Sequence, residues 1–188
     1  MLGLLLFFTY GDRDMKRIAI MSVAFALLLA GCSNTQGNGV INGVDRHSGS
    51  KTVLIQPHGT DCDSMQCIAL GAFWVSSEKD TALLNVSLMN TSDFIQDAYL
   101  EIDGQKYQLR DDGDLTRYER PLSDMTSYVQ SRKDYLVPLD VIRKMSTAKK
   151  AWIFVKTGDN YMSDAIIDSQ GDSKAYYAMQ RFIAAIPQ

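Results

Sequence analysis

The sequence predicts an α+β domain: an antiparallel β-sheet of about six to seven hairpin-connected strands, with two short helices in the C-terminal half. Three observations point there. Apolar runs and alternations of strand length fill residues 52–109. Asp103-Gly104 and Gly158-Asp159-Asn160 supply turn signals between such runs, and two-residue turns of this kind close hairpins. Two segments near the C-terminus repeat their apolar residues every three or four positions, the period of a helix packed on one face. Hairpins followed by short helices indicate a sheet with helices on one side; a β-sandwich with peripheral helices is the alternative.

The elements follow in order. Residues 52–55 open the domain, and 67–75 form a nearly continuous apolar run suited to a central strand. Ser77-Glu78-Lys79-Asp80 is a turn. In residues 81–89, Ala82, Leu84, Val86 and Leu88 alternate with Leu83, Asn85, Ser87 and Met89, which turns one apolar face inward. Strands over 94–102 and 105–109 flank Asp103-Gly104. Residues 111–128 carry charges, Ser and Thr without a clear period, as a long loop or a weakly signalled hairpin. A strand ends at Tyr135-Leu136-Val137, and Pro138 suits the first turn of a helix. In that helix Leu139, Ile142 and Met145 share a face, with Asp140 early and Arg143 and Lys144 late, matching the helix dipole. Strands over 151–156 and 161–167 form a second hairpin. Asp172 or Ser173 then caps a last helix with Ala175, Met179, Phe182 and Ile186 on one face, ended by Pro187. Phe73, Trp74, Trp152, Phe154 and Phe182 are expected to fill the core.

The N-terminal region carries an address. Lys16-Arg17 precede an apolar run over residues 18–28, and Leu29-Ala30-Gly31-Cys32 follows. A basic start, a short apolar stretch and a small-residue cleavage site make a secretory signal peptide. The cysteine directly after Ala30-Gly31 resembles the lipobox of bacterial lipoproteins. That resemblance implies acylation at Cys32, cleavage before it, and three fatty chains. One chain binds a membrane only marginally, whereas several attach stably. Ser33 follows, where retention in the inner membrane favours aspartate, so the resemblance places the protein in the outer membrane of a Gram-negative envelope, facing the periplasm. Residues 1–14 read as an upstream mis-start: the apolar stretch over 1–8 is far shorter than the roughly 20 residues of a membrane span. The expected organisation is therefore a signal peptide over 1–31, a lipidated cysteine and flexible tether over 32–51, and one periplasmic globular domain over 52–188. The Gly, Asn and Ser content of 33–51 predicts a random coil reaching on the order of 25 Å.

Removing residues 1–31 leaves 157 residues with 16 basic and 20 acidic side chains, a net charge of −4. That is one domain's worth of chain, with no basic field for nucleic acid or for anionic lipid. Cys62 and Cys67 remain, and an even pair in an oxidising compartment reads as a disulfide. The rivals are a redox pair, which usually has two intervening residues where this chain has four, and a metal site.

Signals for catalysis are weak. Ser146-Thr-Ala-Lys149 with Lys156-Thr-Gly158, and Ser76-Ser-Glu-Lys79, resemble pieces of the serine acyl-enzyme signature; their spacing and placement make them chance matches. His47 lies in the tether and cannot be rigidly placed. His58 with Asp61 and Asp63 lacks the ligand spacing of a known metal site. Asp111-Asp112-Gly113-Asp114 lacks the alternation and terminal Glu of a calcium loop. No enzyme, metal or cofactor is expected. Tyr and Arg, the residues favoured at interface hot spots, gather instead in one region: Tyr107, Arg110, Arg117, Tyr118, Arg120 and Tyr128 are the candidate interaction residues, with Arg132 and Tyr135 nearby. Packing against the sheet edge is the bland alternative for half of them. The expected function is a membrane-anchored, periplasm-facing module that binds an envelope protein as accessory, inhibitor or immunity protein. The alternative is a small-ligand or glycan-binding lipoprotein with a concave pocket lined by Tyr and Trp.

Overall fold

Strand pairing follows the apolar pattern almost residue for residue. A computed structural model describes residues 38–187 except 63, 112, 114, 120–128 and 159. The signal peptide, Cys32, Arg120 and Tyr128 lie outside the described residues. In chain order the elements are β1 (Ile41–Val44), β2 (Lys51–Gly59), β3 (Cys67–Val75), β4 (Thr81–Met89), β5 (Ile95–Ile102), β6 (Gln105–Gln108), β7 (Arg110–Asp111), β8 (Arg117–Glu119), β9 (Gln130–Pro138), α1 (Leu139–Thr147), β10 (Ala151–Thr157), β11 (Asn160–Ile167) and α2 (Lys174–Ala185). All described strand pairs are antiparallel, and both helices fall in the C-terminal half: the α+β class holds.

The strands divide over two sheets rather than one. The larger has seven strands in the order β1-β2-β3-β4-β9-β7, with β8 also on β9; the smaller has four, in the order β11-β10-β5-β6. The turn between β5 and β6 holds the smaller sheet together. Asp103 (φ 47°) and Gly104 (φ 83°) both take positive φ, the primed geometry that matches strand twist, and this closes β5 onto β6. Asp103 Oδ1 then accepts from the backbone N–H of Lys149 (3.1 Å) and Lys150 (2.9 Å), which fixes the approach of β10 beside β5.

One apolar cluster joins both sheets and both helices. On the larger sheet it takes Ile68, Leu70, Ala72 and Trp74 of β3 with Ala82, Leu84, Val86 and Leu88 of β4, set side by side by the register Leu70↔Val86 and Ala72↔Leu84. The smaller sheet gives Leu100, Ile102, Ile153 and Val155, and α2 gives Met179 and Phe182. Ser173 caps α2: its Oγ accepts from Tyr176 N (3.2 Å) and donates to Ile166 O (2.6 Å), which ties the helix to β11. Gln180 Nε2 donates to Ser146 O (3.1 Å), joining α2 to α1. Among the described residues no helix is long and apolar enough to cross a membrane.

The structure departs from the sequence reading in several places. Ile41–Val44, inside the expected tether, pairs with β2 in the register Ile41↔Leu54 to Val44↔Lys51. All four residues are exposed, so backbone hydrogen bonds rather than burial define this edge, and composition gives no sign of it. Residues 110–119 hold two short strands on the outer edge of β9. Trp74 and Phe182 are in the core, but Phe73, Trp152 and Phe154 are half-buried on outer faces. A bulge breaks the β2–β3 ladder: pairing runs from Ile55↔Ala72 to His58↔Leu70, which sets Gln56 and Pro57 opposite Gly71. Pro57 has no N–H for a ladder. Gly71 is required because a Cβ there would meet Ile55 O at 2.8 Å and Pro57 N at 2.9 Å.

Candidate functional site

The candidate Tyr and Arg residues do not form one patch. Tyr107 belongs to the smaller sheet, where its hydroxyl donates to Gln105 Oε1 (2.6 Å) and its ring packs against the core. Arg110 is exposed on β7. Arg117 and Tyr118 are neighbours on β8, so their side chains leave opposite faces of the strand. Tyr135 is fully buried. Its hydroxyl has no hydrogen-bond partner among the described residues, and burial, aided by Asp97 and Asp111, pushes it well above its ordinary pKa.

Arg117 faces the outside of the larger sheet, opposite Arg132 in register. Its Nη2 donates to Asp134 Oδ2 (2.7 Å). Asp134 Oδ1 accepts from Asn85 Nδ2 (2.5 Å), and Asn85 Oδ1 from Ser87 Oγ (2.8 Å). Arg132 stands farther off, 3.8 Å from Glu119 and 3.9 Å from Asp134. This chain of polar groups edges a shallow cleft of about 330 Å³, whose apolar wall includes Leu54, Phe73 and Leu83.

Tyr118 lies on the other side, opposite Ser131, and is 54% exposed. Two residues earlier, Thr116 Oγ1 accepts from Ile95 N and donates to Ile95 O (3.2 Å each). That exchange ties the segment before β8 to the start of β5; the residues next to the bonded pair, Leu115 and Phe94, are 79% and 48% exposed. Phe94, Leu115 and Tyr118 are thus three exposed apolar side chains at or next to β8, which pairs with β9 at the rim of the larger sheet. Sequence reasoning found Tyr118 and missed the other two, because a single Leu or Phe in a polar segment carries no signal until its neighbours are known.

The remaining candidates are held by structural bonds. His58 is buried; its Nδ1 donates to Gln56 O (2.6 Å) and its Nε2 accepts from Arg181 Nη2 (3.4 Å), so both ring nitrogens are committed. Asp45 holds the turn before β2, accepting from His47 N (2.9 Å) and Ser48 N (2.7 Å); the bonds from Ser48, with that from His47, lower its carboxyl pKa. Ser146 Oγ donates to Arg143 O (2.8 Å) within its own helix. Cys62 and Cys67 are joined as a disulfide, with Cα atoms 5.5 Å apart. Asp164 packs against the pair, and its Oδ2 accepts from Ile68 N (2.8 Å) and Thr60 Oγ1 (3.0 Å). Asp61 N donates to Ala165 O (2.8 Å). The stapled loop is thus bonded to β11. Its sulfurs are used on each other, which leaves no thiolate pair for a metal in this state. Asp63 lies outside the described residues.

On the smaller sheet an aromatic row crosses the outer face. Tyr99 and Phe154 stack at 4.6 Å with planes 6° apart, Trp152 follows at 6.5 Å, and Lys106 Nζ covers Tyr99 at 3.6 Å. These rings spend their faces on one another. Trp152 also borders a cleft of about 600 Å³ with Asp61, Ser163 and Asp168. Compared with protein-family models, with characterised proteins and with solved structures, the chain matches none.

Proposed function

We propose that the protein is a periplasm-facing lipoprotein of the outer membrane, anchored at Cys32, whose folded domain binds another envelope protein along the β8 edge. The observation that carries the reading is the exposure of Phe94, Leu115 and Tyr118 at and next to β8, a short strand at the rim of the larger sheet. Exposed apolar side chains of this kind supply the buried anchors an interface needs, and a sheet rim is where an extended segment of a partner is accommodated. Accessory subunit, inhibitor and immunity protein are the roles that fit a module of this kind. The lipobox at Leu29-Ala30-Gly31-Cys32 supports the anchor.

The test is in-cell photo-crosslinking from position 118, with position 161 on the other sheet as a control; Tyr161 is 68% exposed. One dominant protein captured from 118 and not from 161, and lost in Leu115→Asp, is the expected result. Equal capture from both positions, or capture unchanged in Leu115→Asp, overturns the interface. Cys32→Ala should abolish acyl labelling, and continued labelling overturns the anchor.

The second reading, a glycan-binding module, rests on Trp152 at the edge of its polar cleft. It predicts that soluble peptidoglycan fragments change the fluorescence of the wild type and not of Trp152→Phe.

A further inference from the structure

We propose that Cys62, Cys67 and Asp164 form a redox-gated site for a thiophilic divalent cation such as zinc, closed while the disulfide stands and open once a dithiol has reduced it. The site needs neither the anchor at Cys32 nor the interface at β8. The observation that carries it is a convergence of three donors from separate parts of the chain. Both Sγ atoms and a carboxylate oxygen of Asp164 lie within 4.8 Å of one another, and all three residues are half-buried. Cys62 follows the bridge between Asp61 and Ala165, Cys67 opens β3 of the larger sheet, and Asp164 belongs to β11 of the smaller one. A tetrahedral zinc ion, with bonds of about 2.0 Å to oxygen and about 2.3 Å to sulfur, spans donors about 3.5–3.8 Å apart. Reduction lets the sulfurs part to that distance, and the exposed Ser64, Met65 and Gln66 between them can give.

Asp164 is held in place by the segments that carry the two cysteines. Its Oδ2 accepts from the N–H of Ile68 (2.8 Å), the residue after Cys67, and from Thr60 Oγ1 (3.0 Å), two residues before Cys62. Hydrogen bonds of this kind orient a metal-binding carboxylate. Asp61 N donates to Ala165 O (2.8 Å), so both ends of the Cys62–Cys67 loop are tied to β11. An entry path adjoins the donors: Asp164 lines the cleft of about 600 Å³ together with Asp61 and Asp168. Among the described residues no lysine or arginine lines that cleft, and a concavity carrying one sign of charge concentrates counter-ions. Two thiolates with a carboxylate suit zinc, whereas calcium and magnesium take oxygen donors.

A dithiol gives two electrons and two protons to the Cys62–Cys67 bond and leaves as its own disulfide. The cation then displaces both thiol protons into solvent, forms two metal–sulfur bonds and one bond to Asp164, and keeps a water at the fourth position. Exchange with an oxidised dithiol reverses both steps and releases the ion. The disulfide spans only its own loop. The ion instead joins β3 to β11, and with them the two sheets.

The experiment is a titration of the full chain in neutral detergent with cobalt and then zinc, in a Cys32→Ala background so that no third thiol takes part. A phosphine reduces the disulfide and is removed under argon. One equivalent of cobalt should give a thiolate-to-cobalt charge-transfer band and the intense visible bands of a tetrahedral site. Zinc should bleach them, and its binding to the reduced chain should release two protons per ion. The oxidised chain should show none of these bands. Asp164→Asn should weaken cobalt binding by at least about tenfold, the smaller end of what losing even a supporting group costs a metal site. Asp168→Asn, outside the donor set, should weaken it less; equal loss in the two variants assigns the effect to the field of the cleft and overturns the carboxylate ligand. X-ray absorption of the zinc-loaded chain tests the same point without altering a donor, with two sulfur and two oxygen neighbours expected. Absence of bands in the reduced chain, a six-coordinate spectrum without a sulfur band, four sulfur neighbours, or an affinity unchanged in Asp164→Asn overturns the proposal.

Discussion

Arg117 Nη2 lies 2.7 Å from Asp134 Oδ2, and the same carboxylate accepts from Asn85 of β4. One buried carboxylate thus ties a three-residue edge strand to the centre of the larger sheet. Asp134→Ala removes the acceptor of both donors, and an unsatisfied buried polar group costs about 1–3 kcal/mol. Urea unfolding should show a loss of about 2 kcal/mol, and amide exchange should quicken at Arg117 to Glu119 before it does in β3. Uniform exchange across the sheet would refute the tie.

Lys133 is buried, and its Nζ sits 2.7 Å from Asp111 Oδ2 at 51% side-chain exposure. The hydrogen bond from Lys133, followed by one from Gly113 N, lowers the Asp111 carboxyl below its ordinary 3.8. A pKa lower in the folded chain than in the unfolded one means that protons favour unfolding. The contribution is therefore complete above pH 3.8 and is lost as pH falls through the depressed folded value. Asp111→Asn leaves a buried ammonium without its partner; about 2 kcal/mol should be lost at neutral pH, less than for a fully buried pair. Denaturation curves at pH 7 and pH 3 check this, because the variant's deficit must shrink at the lower pH.

Gly71→Ala places a methyl group against two backbone atoms that cannot rotate away. Forced overpacking of this kind costs about 1–3 kcal/mol, and the thermal midpoint should fall accordingly. Gly39→Ala is the comparison: nothing lies within 4 Å of its Cβ position, and its midpoint should not move.

Replacing both Cys62 and Cys67 by Ser should cost about 2 kcal/mol, the chain-entropy value for so short a loop. Dithiothreitol should lower the wild-type midpoint to that of the double variant and leave the variant unchanged.

Strands buried on one face were legible in the sequence, because β4 alternates in period two and its partner β3 is apolar along its whole length. Helix α2 was legible through Ser173 and the spacing of Ala175, Met179 and Phe182. The edges were not. β1 shows four exposed residues, and β7 and β8 are two and three residues long; pairing with one neighbour leaves no hydrophobic period to read. The partition into two sheets depends on which turn is tight, and Asp103-Gly104 marked the hairpin without saying where β5 would lie. Of the candidate interaction residues, Tyr118 is exposed, while Tyr107 packs on the core. Composition identified the residue types, but the face each occupies is set by register, since one step along β8 moves a side chain from one side of the sheet to the other.

The pairing of β1 with β2 moves residues 41–51 from the expected tether into the folded domain. Val40 packs against the apolar core just before it, and Asn38 O accepts from Arg181 Nη2 of α2 (3.4 Å). Four exposed residues of edge strand thereby act as a hem: a segment with the composition of a linker is sewn to the sheet by its backbone alone, without adding a single buried side chain.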